Sequence, residues 1–120
     1  MSRFERGMAA LQNIHGSAGQ EVYEAVKPFD EVFARRMIEN IGDVFSRPGV
    51  DLKVRLAANL GALVAQQSPQ LKVHINAALN VGLSPDEVKE LIMQMVLYCG
   101  YPTCIYALRA AEQVFSERPK

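Results

Sequence analysis

Apolar residues recur at three- and four-residue steps along almost the whole chain, and no stretch keeps a two-residue alternation. The pattern predicts an all-α protein. Two shorter amphipathic segments are expected over about residues 3 to 13 and 18 to 26, with a longer one after Pro28. In that third segment Phe29, Val32, Phe33, Met37, Ile41, Val44 and Phe45 form one stripe, with Asp30, Glu31, Arg35 and Glu39 mostly on the other side. Such a stripe should bury one face.

The segment SRPGVD then reads as a loop, because proline and glycine stop a helix and the following acid suits a new start. A helix from about Leu52 to Ala65 follows; it is nearly uncharged after Arg55 and small on several faces, as for a helix packed on more than one side or against another subunit. Gln66 to Pro69 should break it. The next helix, about Pro69 to Asn80, places Leu71, Ile75, Ala78 and Leu79 on one face and stops at Gly82. Ser84-Pro85-Asp86-Glu87 is a complete capping signal: hydroxyl and carboxylate exchange hydrogen bonds with each other's backbone, and proline takes the first helical position. The helix it starts turns Val88, Leu91, Ile92, Met95 and Val96 inward and should run to Gly100. A last helix from about Pro102 carries Ile105, Leu108, Ala111, Val114 and Phe115, and the tail SERPK should fray.

Composition narrows the class. The 120 residues are 49% hydrophobic and 22% charged, values for a single globular domain spanning residues 1–120. Thirteen basic and thirteen acidic side chains cancel, so nothing in the charge favours nucleic acid or an anionic membrane. No apolar run approaches the roughly 20 residues that span a bilayer, and the opening MSRFERGMAALQNIHG is not signal-like, so a cytoplasmic protein is expected.

Among polar residues His74 is the most informative, since it falls within the apolar face of its helix. A lone histidine so placed is more often a satisfied core or interface residue than a catalytic one. Against that, Lys72 and Asn76 flank it and Gln66 and Gln67 lie upstream in the loop before the helix, a pattern compatible with a polar pocket at the helix start. Cys99 and Cys104 lack the two-residue spacing of a redox dithiol and read as buried, inert thiols. His15 and His74 are too far apart, and too poor in acidic neighbours, to suggest a metal site. Arg47 and Arg55 bracket the SRPG loop; they are either solvated or a clamp for a carboxylate.

The runs GDVFSRPGVDLKVR, LKVHINAALNVGLSPDEVKELIMQMVLYCGYP and ALRAAEQVF, with RFERGM near the start, closely resemble the carboxymuconolactone decarboxylase family in its decarboxylase branch. The resemblance implies an all-helical bundle assembled as a homo-oligomer, a trimer or hexamer. It also implies conversion of 4-carboxymuconolactone to 3-oxoadipate enol-lactone and carbon dioxide without a cofactor. It makes His74 the proton donor or oxyanion partner, Arg47 or Arg55 the holder of the carboxylates, and Tyr98, Cys99 and Tyr106 the pocket wall. The related alkylhydroperoxidase-like proteins carry C-x-x-C-x-x-x-H with an upstream glutamate. With that histidine on His74, the cysteine positions hold Gln67 and Gln70, and the glutamate position falls near Arg55.

This chain departs from the decarboxylase pattern at Asn76, where an arginine is usual, and at Ile105 and Tyr106, where an asparagine is usual. A non-catalytic oligomer that binds a small acid or a partner protein is therefore the alternative, with a peroxidase-like member behind it. For the latter the expectation is negative: replacing both cysteines by serine should leave any activity largely intact. Thiol-dependent peroxide turnover that vanishes in that variant would contradict this reading.

Overall fold

The computed structural model describes residues 1–119. Among these every regular element is helical, and their packing groups them into two compact units, Met1–Asp51 and the remainder from Leu52.

The first unit begins with α1 (Arg3–His15), started by Ser2, whose hydroxyl accepts from the Glu5 amide at 3.0 Å while Glu5 reaches back. A 3-10 turn, Gly16–Ala18, leads into α2 (Gly19–Val26), and Asp30 caps α3 (Glu31–Phe45) by accepting from the Phe33 amide at 2.8 Å. Leu11, Tyr23, Ala34 and Ile38 are its core, flanked by Phe4, Met8, Met37 and Ile41. The expected α3 stripe is corrected here: the buried line is Ala34, Ile38 and Gly42, while Phe29 is 86% exposed and Phe33 63%.

The reason is close approach of two backbones. A methyl group at Gly7 would collide with the Ile38 carbonyl, and one at Gly42 would sit 2.6 Å from the Gly7 nitrogen. Helices touch this closely only where side chains are absent, so α3 turns its smallest residues toward α1. Arg3 then bridges the same pair, 2.6 Å from Asp43 and 3.6 Å from Glu39.

The second unit holds α4 (Leu52–Ala65), α5 (Leu71–Asn80), α6 (Pro85–Gln94), α7 (Val96–Cys99) and α8 (Tyr101–Glu117). Leu56, Leu60 and Val64 of α4 pack with Leu71, Ile75 and Ala78 of α5, Val88 and Ile92 of α6, and a line on α8. α4 and α5 end in the same way. The Ser68 and Gln67 amides return to the Leu63 and Val64 carbonyls, and the Leu83 and Gly82 amides to those of Ala78 and Leu79, as in a Schellman motif. Gly82 takes the left-handed position (φ 106°) after α5, and Gln67 takes it (φ 51°) after α4. The Ser84 capping box forms as expected, with bonds of 3.0 and 2.9 Å.

Three expectations are corrected in this unit. The helix after Ser84 is interrupted at Met95, whose amide bonds back only three residues to Ile92, and Gly100 (φ 81°) separates α7 from α8. The buried line of α8 is Cys104, Ala107, Ala110, Ala111 and Val114, leaving Ile105 44% exposed. The tail does not fray at Ser116: α8 continues to Glu117, and Arg118 is anchored on α5. Lys120 lies outside the described residues.

Gly42→Ala should destabilise the protein by about 1–3 kcal/mol or more, since its methyl meets backbone that cannot yield locally. Ser84→Ala should cost about 1 kcal/mol through loss of the cap. Thermal melts followed by circular dichroism check both, and a Gly42→Ala protein that melts with wild type would contradict the crossing described.

Candidate functional site

α5 is the helix on which the sequence concentrated its candidate chemistry. Leu71, Ile75 and Ala78 form its buried line, with Ala77 buried beside it. His74 lies along one flank of that line and is half-buried, with its Nδ1 atom out of reach of solvent. Burial pushes its pKa below the ordinary 6.5, because the imidazolium loses more hydration than the neutral ring. The ring is therefore neutral at pH 7, with one N–H and one basic nitrogen.

Residues two apart on a helix differ by about 200° in direction, so Lys72 and Asn76 leave α5 on the flank opposite His74. Their contacts agree with this. Lys72 Nζ donates to Gln113 Oε1 on α8, and Asn76 Oδ1 accepts from Arg118 at 2.9 Å. The polar residues flanking His74 in sequence thus belong to a different surface. Gln67 faces α8, where its Nε2 donates to Thr103 Oγ1 at 3.4 Å, and Gln66 is exposed.

Arg55 is half-buried in the first turn of α4, with its Nε atom secluded from solvent. Lys53, two residues earlier, has its side chain 3.8 Å from where a methyl at Gly82 would lie, so α4 begins beside the end of α5 and the two run antiparallel. The backbone positions of Arg55 and His74 thus lie toward opposite ends of this helix pair. Arg47 is exposed in the loop after α3, within the first unit.

Tyr98, Cys99 and Tyr106 lie on α7 and the early turns of α8. Tyr98 is 80% exposed and Tyr106 61%, and Leu97, Tyr101 and Ile105 are exposed with them. Within one chain these residues make an uncharged aromatic surface. Cys99 is half-buried and Cys104 fully so; burial, then the neighbouring Cys99, pushes the Cys104 thiol up and away from the reactive thiolate.

Sequence reasoning missed Arg118 and its partner Asn80. The asparagines at i and i+4 of α5 hinted at a polar edge, but nothing in a charged, proline-containing tail marked where its arginine would go. Among the described residues no three His, Cys, Asp or Glu side chains are grouped to hold a metal ion, and no helix is long and apolar enough to cross a membrane.

Among the described residues the regular structure is all helical, a half-buried imidazole lies on α5, and glutamines hold the positions of a dithiol; together these define an α-helical protein whose candidate chemistry centres on His74. The chain belongs to the carboxymuconolactone decarboxylase family, whose pattern matches residues 31–113. An uncharacterized 15.0 kDa protein in the nqo9-nqo10 intergenic region of Paracoccus denitrificans is 33% identical over 116 residues, covering 83% of this chain and 87% of the relative. The 4-carboxymuconolactone decarboxylase of Acinetobacter baylyi is 38% identical over 77 residues, 63% of this chain and 58% of that enzyme. The nitrosuccinic acid decarboxylase npaB of Metarhizium robertsii is 32% identical over 77 residues, 63% of this chain and 54% of that enzyme. The chain thus spans a little over half the length of the two decarboxylases that it matches.

The lowered pKa of His74 carries a sign. As pH drops the unfolded chain takes up this proton first, so stability is full above about 6.5 and is lost as the pH falls from there toward the folded value. His74→Asn cannot titrate and should flatten the fall of melting temperature below pH 7. An unchanged pH dependence would contradict the burial of the ring.

Proposed function

We propose that the chain is a cofactor-independent decarboxylase of 4-carboxymuconolactone or a related lactone acid, giving 3-oxoadipate enol-lactone and carbon dioxide. The observation that carries this reading is family membership combined with the half-buried, neutral His74. The two named decarboxylase relatives act on acids that contain their own electron acceptor, a conjugated lactone in one and a nitro group in the other.

Loss of the ring carboxylate as carbon dioxide leaves its electron pair on carbon. The pair spreads through the ring double bond onto the lactone carbonyl, and a proton added at the distant carbon completes the enol-lactone. The protein has to stabilise the oxyanion, supply that proton and hold the remaining carboxylate. His74 takes the first task as a neutral imidazole, whose N–H donates a hydrogen bond to the oxyanion, or the second after its basic nitrogen has taken up a proton from solvent, which the imidazolium then passes to carbon as the ring returns to neutral. Of the two candidate arginines, Arg55 is the one in the same unit as His74, and it takes the carboxylates in this reading.

Tyr98, Cys99 and Tyr106 form the pocket wall in this reading, but within a single chain Cys99 is only half-buried and both tyrosines are exposed. Their exposure, with that of Leu97, Tyr101 and Ile105, supports a homo-oligomer, trimer or hexamer, in which a second copy covers this face. Light scattering at micromolar concentration should give a multiple of 13.3 kDa, and a clean monomer would contradict it.

Carbon dioxide release from synthetic lactone tests the activity. Wild type should turn the lactone over, and His74→Asn should lose about a hundredfold or more in kcat while melting within several degrees of wild type. No release by wild type would leave the non-catalytic binding role. Full activity with a collapsed melting temperature would make His74 a structural residue.

A further inference from the structure

The edge of α5 opposite His74 is held from outside the helix. Arg118 follows α8 in extended conformation (φ −80°, ψ 145°), beyond the segment that the family pattern matches, which ends at residue 113. Its NH1 donates to Asn76 Oδ1 at 2.9 Å and to the Asn76 carbonyl at 3.4 Å, and its NH2 donates to Asn80 Oδ1 at 3.1 Å. All three acceptors are neutral oxygens. They lie in the C-terminal half of α5, where the helix dipole favours a cation. Lys72, one turn before Asn76, reaches Gln113 on the same side. Lys72, Asn76 and Asn80, at i, i+4 and i+8, are thus all engaged by the last turns of α8 and the residue after it.

The buried line of α5 explains why such ties matter. Only Leu71 and Ile75 are large there, while Ala77 and Ala78 offer little relief to resist rotation of the helix about its axis. A ten-residue helix also contributes little order of its own. A rotation by one residue, about 100°, would move His74 out of its half-buried flank. We propose that Arg118 is a positioning residue, a C-terminal latch on Asn76 and Asn80 that fixes the rotation of α5 and so holds His74 in place. Its consequence for turnover rests on the proposed role of His74; the latch itself does not.

The test compares Arg118→Ala, Arg118→Lys and Asn76→Ala in the full chain. Asn76→Ala removes the best acceptor while the arginine's charge stays. The latch predicts that Arg118→Ala and Asn76→Ala both speed amide exchange across α5 by about tenfold or more, with exchange in the first unit unchanged. Both should also move the NMR titration midpoint of the His74 ring up toward 6.5, and Arg118→Lys should recover more than half of each effect. In turnover, kcat should fall with KM nearly constant.

A His74 midpoint that does not move in either alanine variant would overturn the proposal. So would a shift in Arg118→Ala alone, since that is an effect of charge and not of position. Should Arg118→Ala fail to fold, Asn76→Ala and Arg118→Lys decide the matter. Absence of turnover in wild type would count against the decarboxylase reading only, because the exchange and titration results stand without it.

Discussion

A helix of ten residues makes too few internal hydrogen bonds to hold itself together, so α5 owes its order to its surroundings. Returning amides close its end onto Ala78 and Leu79, and the same device at the end of α4 sets the approach to its first turn. Leu71 and Ile75 anchor it on the core. Asn76 and Asn80 take hydrogen bonds from Arg118. His74 lies on the remaining flank, and its chemistry follows from that position: a ring this secluded stays neutral where a solvated histidine would already be partly charged.

How much of this was legible in the sequence depended on what kind of residue carried the signal. The Ser84-Pro85-Asp86-Glu87 cap was readable because its partners are local, three residues apart, and it forms as written. The all-helical class was readable because periodicity accumulates over many residues. The inward faces of α3 and α8 were misjudged for a common reason. A hydrophobic stripe is drawn through the largest apolar residues, whereas these helices pack through their smallest: Ala34 and Gly42 in α3, Cys104, Ala107 and Ala111 in α8. Small residues let helix axes come closer, so the buried line moved by a fraction of a turn and left Phe33 and Ile105 outside, while Phe29 falls in the turn before α3. The break at Met95 left no trace, since methionine is a good helix former.

The candidate site divides along the same line. His74 stood out as a polar residue in an apolar pattern, and its half-burial agrees with that. Lys72 and Asn76 misled because neighbours in sequence are not neighbours on a helix surface; both point to the α8 side. Arg118 depends on a contact with a residue 42 positions away, which no local pattern encodes. Cys104 shows the converse: a residue type associated with chemistry serves here as a small core side chain, in keeping with glutamines at 67 and 70.

The claim on which the account turns is that burial on α5 keeps the His74 imidazole neutral and poised to exchange a proton. The most direct measurement is an NMR titration of the His74 ring in the wild-type protein, with His74→Asn to assign its signal. The account predicts a midpoint clearly below 6.5 and a resonance that moves when the lactone acid is added. A midpoint at or above 6.5, with a resonance indifferent to the lactone acid, would contradict it.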